Sequence, residues 1–171
     1  MFRRSSHAVF DCRYHLIFAT KRRKRALREP HEREYCARLL RRVAEKYDMV
    51  MLAMEVDEDH VHMYLEIPPQ QAVGTAVRAF KSLSARYLVR RFPYLRKYFY
   101  GGAVWSPSYF VRSIGEGVTA ETVRKYIETH DQKAELDSVQ AELFAVAKVK
   151  RQSRRAHRER SSKVVREKRK A

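Results

Sequence analysis

Hydrophobic and polar positions alternate in ways that mark out elements one after another. In "CRYHLIFATKRR", Tyr14, Leu16, Phe18 and Thr20 alternate with Arg13, His15, Ile17 and Ala19, which predicts a strand running into a basic turn. "HEREYCARLLRRVAEKYD" carries Tyr35, Leu39, Val43 and Tyr47 at a spacing of four, widened by Leu40 and Ala44. That is an amphipathic helix with an arginine-rich outer face, and Pro30 suits its first turn. "MVMLAMEV" and "HVHMYLEI" read as two strands joined by the polar turn "DEDH" and stopped by Pro68-Pro69, an antiparallel pair. "QQAVGTAVRAFKSLSARYLVRRF" is a second helix. Its stripe is Val73, Val77, Phe80, Leu83 or Ser84, Tyr87, Leu88 and Phe92, and Pro93 ends it. Short strand pieces are expected at 103–105 and 109–111. Further helices are expected after Thr119, a plausible N-cap.

The order is strand, helix, strand, strand, helix, strand, then C-terminal helices. It predicts an α+β, ferredoxin-like or RRM-like βαββαβ plan, with an antiparallel sheet covered by helices on one face. In the strand after "DEDH", Val61, Met63, Leu65 and Ile67 share one face and should meet the helices. His60, His62, Tyr64 and Glu66 share the other and should face the open side of the sheet.

Charge narrows the partner. The chain of 171 residues has 37 Lys and Arg against 20 Asp and Glu, a formal net charge of +17. Residues 148–171 hold 12 Lys/Arg against 2 Asp/Glu, which leaves +7 for the rest. Such an excess favours a polyanion, and nucleic acid is the commonest. A membrane surface is the competing partner, but the basic tail lacks bulky apolar anchors and no run of 18 apolar residues exists. The apolar stretch near the N-terminus is broken by Asp11, Arg13 and His15, a poor signal peptide. Cys12 and Cys36 are too few for a disulfide framework or a zinc site and are expected as reduced thiols in the cytoplasm. One domain over 1–147 and a basic tail over 148–171 are expected. The tail is either a solvated extension or a DNA contact.

His60 and His62 stand about 7 Å apart along the strand, within reach of one divalent cation. On spacing alone, two surface histidines are the commoner arrangement, and two ligands do not complete a metal site. "KYIETHDQ" places Tyr126 and His130 at i and i+4 of a predicted helix, so they point the same way. They could be supplied together to a site on the sheet. Equally, Tyr126 could pack beside Val123 and Ile127 with His130 in solvent.

Five blocks occur in order: "CRYHLIFATKRRK", "DHVHMYLEIPP", "FKSLSARYLVRRFP", "VWSPSYFVRSIG" and "VRKYIETHDQ". Over roughly residues 11–132 the chain resembles the single-tyrosine HUH transposases of the insertion sequence 200/605 type, HUH meaning His-hydrophobe-His. The resemblance implies an enzyme that cuts and rejoins single-stranded DNA at transposon ends. Tyr126 would be the nucleophile, forming a 5′-phosphotyrosine link. His60 and His62 would hold Mg²⁺ or Mn²⁺. The family usually has Gln four residues after the tyrosine. Here that position is His130, and a three-histidine site should favour Mn²⁺, Co²⁺ or Zn²⁺. Gln132 would sit about 200° round the helix from His130.

The resemblance further implies a homodimer with active sites shared between chains, for which Gly115 and Gly117 offer a hinge or a plain loop. It also implies recognition of subterminal DNA hairpins. Lys21, Arg22, Arg23, Lys24, Arg25, Lys81, Arg86, Arg90 and Arg91 are the expected phosphate contacts. Two rival readings are a domesticated relative that processes palindromic repeats as a monomer, and a non-catalytic RRM-like binder. In the binder, Trp105 and the tyrosines of 94–100 would stack bases.

Overall fold

A four-stranded antiparallel sheet organises the chain. In this computed structural model the described residues are 2–99 and 103–115. A short hairpin, β1 (Arg3–Arg4) and β2 (Val9–Phe10), precedes β3 (Arg13–Ala19). Then come α1 (Pro30–Lys46), β4 (Val50–Val56), β5 (His60–Glu66), α2 (Val73–Arg91), the single turn α3 (Leu95–Tyr98) and β6 (Phe110–Ile114). The sheet order is β4-β5-β3-β6, the expected ferredoxin-like arrangement, with β3 and β5 central.

Helix α1 starts where its residues dictate. Pro30 occupies the first turn, and the Glu32 carboxylate accepts the Glu29 backbone N–H at 3.0 Å. It ends with Asp48 at φ 53°, in the left-handed region, while the Met49 N–H donates to Ala44 O. Helix α2 ends as expected before Pro93, with the Phe92 N–H on Leu88 O.

The core lies between the helices and one sheet face. Leu16, Phe18, Val61, Met63 and Leu65 pack against Cys36, Leu40, Val43, Ala76, Phe80 and Leu88. Burying each of the Leu, Val, Met and Phe side chains among them contributes roughly 1.5–3 kcal/mol. Tyr87, expected in the α2 stripe, is exposed instead, and Ala76 and Val89 take up the buried face. Trp105, a base-stacking platform in the non-catalytic reading, is a core residue. It packs edge-on against Phe18, and its Nε1–H donates to the buried Ser84 Oγ at 2.8 Å.

Two features escaped the sequence pattern. The β1–β2 hairpin is anchored by Arg3, which donates to Asp48 and pairs with Glu66 at 3.3 Å. And β4 carries a bulge at Leu52, between the Met51–Leu65 and Ala53–Tyr64 pairs. The extra residue reverses the alternation of the rest of the strand. Met54 and Val56 therefore reach the core, and Glu55 stands opposite His62 on the other face.

No helix among the described residues is long and apolar enough to cross a membrane. Cys12 and Cys36 are both free, and burial pushes the Cys36 thiol up to about 12. The expected C-terminal helices, Tyr126, His130, Gly117 and the 148–171 tail lie outside the described residues.

Candidate metal centre

The sheet face turned away from α1 and α2 carries residues of all four strands, among them Glu55 of β4 opposite His62. β5 contributes His60, His62, Tyr64 and Glu66. β3 contributes Ala19, Ile17, His15 and Arg13 directly opposite them. β6 adds Phe110, Arg112 and Ile114 beyond β3. The expected alternation of β5, with Val61, Met63 and Leu65 towards the core and the histidines on the other face, therefore holds. The other face is not open as expected, however. His60 is 3% exposed and His62 6%, and Tyr64 and Glu66 are buried as well.

Each histidine of the pair is held by one ring nitrogen. His60 Nδ1 lies 2.6 Å from Asp59 Oδ1. A carboxylate only accepts, so Nδ1 carries a proton and Nε2 is the ring nitrogen left for another partner. His62 Nδ1 lies 3.2 Å from His15 Nε2, the two rings stacked at 24° with centroids 5.5 Å apart. The two Nε2 atoms are buried and have no hydrogen-bond partner among the described residues. The His60 and His62 ring centroids are 4.9 Å apart.

Buried polar atoms are ordinarily paired, and two adjacent unpaired imidazole nitrogens on one face need an explanation. A divalent cation supplies one. Histidine ligands typically bind through one nitrogen while the other donates to a carboxylate or a similar partner, which fixes tautomer and ring orientation. Burial pushes His62 down to about 3, with smaller electrostatic contributions from its neighbours, His60 first. The ring thus stays neutral, as a ligand must be. The residues present fit the metal that the sequence implied.

Asp57, Asp59 and His60 also bring ligand atoms within 4.8 Å of one another. Asp59 is already occupied, accepting from Arg23 Nε at 2.8 Å and Nη2 at 3.2 Å as well as from His60. Burial alone would raise its carboxyl, but the hydrogen bonds from His60 and Arg23 hold it at about 2. Both Asp59 oxygens are thus engaged by His60 and Arg23. Neither Asp59 nor His15 was singled out from the sequence. The signal for His15 was present in its alternation, but only the strand register brings it beside His62.

The nine expected phosphate contacts divide. Arg22, Arg86, Arg90 and Arg91 are exposed. Arg23 is ion-paired to Asp59, and Arg25 to Glu58 at 3.5 Å. Lys24 donates to Tyr98 O at 2.9 Å, and Lys21 is half-buried. Lys81 is placed as an internal staple. Its Nζ donates to Ser106 O at 2.8 Å and Ser108 O at 2.7 Å, flanked by the rings of Phe18 and Tyr109.

Comparison with known proteins places these features. The family described as "Transposase IS200 like" matches residues 8–130. The ISDra2 transposase TnpA of Deinococcus radiodurans is 35% identical over 125 residues, covering 73% of this chain and 88% of the relative. The transposase for insertion sequence element IS200 of Salmonella typhimurium is 31% identical over 111 residues, covering 65% of this chain and 72% of the relative. A crystal structure from Deinococcus radiodurans R1 is similar with a TM-score of 0.61 at 33% identity, over 74% of this chain and 95% of that one.

Proposed function

The chain belongs to the IS200-like transposase family, and from that premise we propose that it cleaves and rejoins single-stranded DNA at transposon ends through a tyrosine nucleophile and a divalent metal. The observation that carries the metal half is the pair of buried Nε2 atoms on His60 and His62, without a hydrogen-bond partner among the described residues while both Nδ1 atoms are held.

His60 and His62 would hold the ion, with His130 as the third ligand. Mg²⁺ or Mn²⁺ is the expected ion, and a third imidazole would tilt preference to Mn²⁺, Co²⁺ or Zn²⁺. When bound, the cation supplies Lewis-acid stabilisation of charge on the phosphate oxygens. The protein's own groups do the rest. Tyr126 Oη gives up its proton and attacks the scissile phosphorus. The bond from phosphorus to the 3′-oxygen breaks, that oxygen takes a proton, and the 5′-phosphate stays on Tyr126. One phosphodiester replaces another, so the reverse attack by a 3′-OH rejoins strands without an energy source.

The exposed Arg22, Arg86, Arg90 and Arg91 suit contacts to DNA phosphates. A hairpin-bearing single strand, a homodimer with shared sites, and action on the chromosome in a prokaryotic cytoplasm complete the reading. Residues 1–147 would form the catalytic domain and 148–171 an added polyanion contact. The burial of Trp105 counts against the non-catalytic binder, whose stacking platform it would have been.

The test is cleavage of labelled single strands spanning the DNA that flanks the gene, with and without Mn²⁺. Wild type should cut only with metal, and His60→Ala and His62→Ala should each lose at least about 100-fold. Cleavage that survives both substitutions would refute the reading.

A further inference from the structure

We propose that Arg23 is a positioning residue of the metal centre: it fixes the Asp59 carboxylate, which fixes the His60 ring so that Nε2 stays at the ligand position. The inference rests on the reading of His60 as a metal ligand.

The basic turn after β3 looked uniform in sequence, but its side chains differ in direction. Arg22 and Arg23 both take left-handed backbone conformations, φ 61° and 49°. Side chains with a Cβ rarely adopt these, so the surroundings must hold the turn in place. They do so through the buried Thr20. Its N–H donates to Asp59 O at 2.7 Å, its carbonyl accepts the Arg23 N–H at 3.0 Å, and its Oγ1–H donates to Lys24 O at 2.7 Å. The turn and Asp59 are thus one frame. Within it Arg22 is exposed, while Arg23 reaches back across 36 positions to Asp59.

The contact is a two-bond fork, Nε to Oδ2 and Nη2 to Oδ1, which fixes the carboxylate plane as well as its position. The same Oδ1 accepts the His60 Nδ1 proton. A competing acceptor stands nearby, for Asp57 Oδ2 is 3.7 Å from His60 Nδ1 and its side chain is half-exposed. Without the fork, Asp59 can turn and the imidazole can follow Asp57, carrying Nε2 away from its partner on His62. Lysine in place of Arg23 would keep the charge and lose the plane.

The test uses the full chain, ¹⁵N-labelled, with two readouts. Proton–nitrogen correlation spectra report the His60 tautomer without metal, and calorimetry with Mn²⁺ reports affinity. Wild type should show His60 as one Nδ1–H tautomer. Arg23→Ala and Asp59→Asn should mix the tautomers and weaken Mn²⁺ binding about 10–100-fold. Arg23→Lys should recover part of the affinity, and Arg22→Ala should change neither readout. Thermal unfolding shows that each variant is folded, and Arg23→Lys decides the question if Arg23→Ala is not. An unchanged tautomer and affinity in Arg23→Ala, with His60→Ala losing the metal, would overturn the inference alone. Failure of wild type to bind Mn²⁺ would overturn the metal reading, and the tautomer would still decide the role of Arg23.

Discussion

His15 Nε2 and His62 Nδ1 meet at 3.2 Å across the β3–β5 pair, two stacked imidazoles joined by one hydrogen bond. One ring must donate and the other accept. If His62 donates, its Nε2 is free for a ligand. The pair therefore needs His62 neutral, and its surroundings keep it so at about 3. The unfolded chain takes up a proton near the ordinary value of 6.5, whereas the folded chain does not until about 3. In metal-free protein, stability should fall as pH drops from about 6.5 towards 3, by about 1.4 kcal/mol per pH unit. Urea unfolding at pH 7, 6, 5 and 4 measures this, and His62→Gln should flatten the slope.

Lys81 offers a test of its internal role. Its ammonium satisfies the Ser106 and Ser108 carbonyls in the turn that leads to β6. Lys81→Ala should destabilise the fold by about 1–3 kcal/mol, the cost of leaving such groups unpaired. It should leave the salt slope of DNA binding unchanged, because the slope counts phosphate contacts. A slope reduced by about one with stability intact would put Lys81 on the DNA.

The bulge at Leu52 makes a sharper statement about register. Met51 pairs with Leu65 and Ala53 with Tyr64, so removing Leu52 joins two segments already in step. Deleting Leu52 should keep Glu55 opposite His62, change the unfolding midpoint by only a few degrees, and leave Mn²⁺ affinity within about twofold.

How much of this was legible in the chain depends on range. Alternation along β5 assigned Val61, Met63 and Leu65 to the core and the histidines to the other face, because that rule needs only neighbouring residues. The burial of the histidine face was not legible. His15 lies 47 positions from His62, and Arg3 reaches Glu66 from a hairpin of two-residue strands. The turn at 21–25 reads as one basic patch in the sequence, and only the fold turns Arg23 towards Asp59, 36 positions away. Spacing puts Tyr87 on the α2 stripe, but it is exposed near the C-terminal end of the helix, where Leu88 and Val89 are the buried residues.

His130 stands where the family usually has Gln, and its substitution should separate metals. His130→Ala should weaken Mn²⁺ binding at least about tenfold, and His130→Gln should restore binding while moving preference towards Mg²⁺. Calorimetric titration of both ions into each variant reads the result. Equal affinities throughout would remove His130 from the ligand set.

The most direct measurement is the mapping of a covalent adduct. Wild type incubated with end-containing single-stranded DNA and Mn²⁺ is digested with nuclease and trypsin, and peptides are sequenced by mass spectrometry. The account predicts a 5′-phosphonucleotide on Tyr126, in the peptide that follows Lys125, and none in Tyr126→Phe. Cleavage without an adduct, or an adduct on another residue, would contradict it.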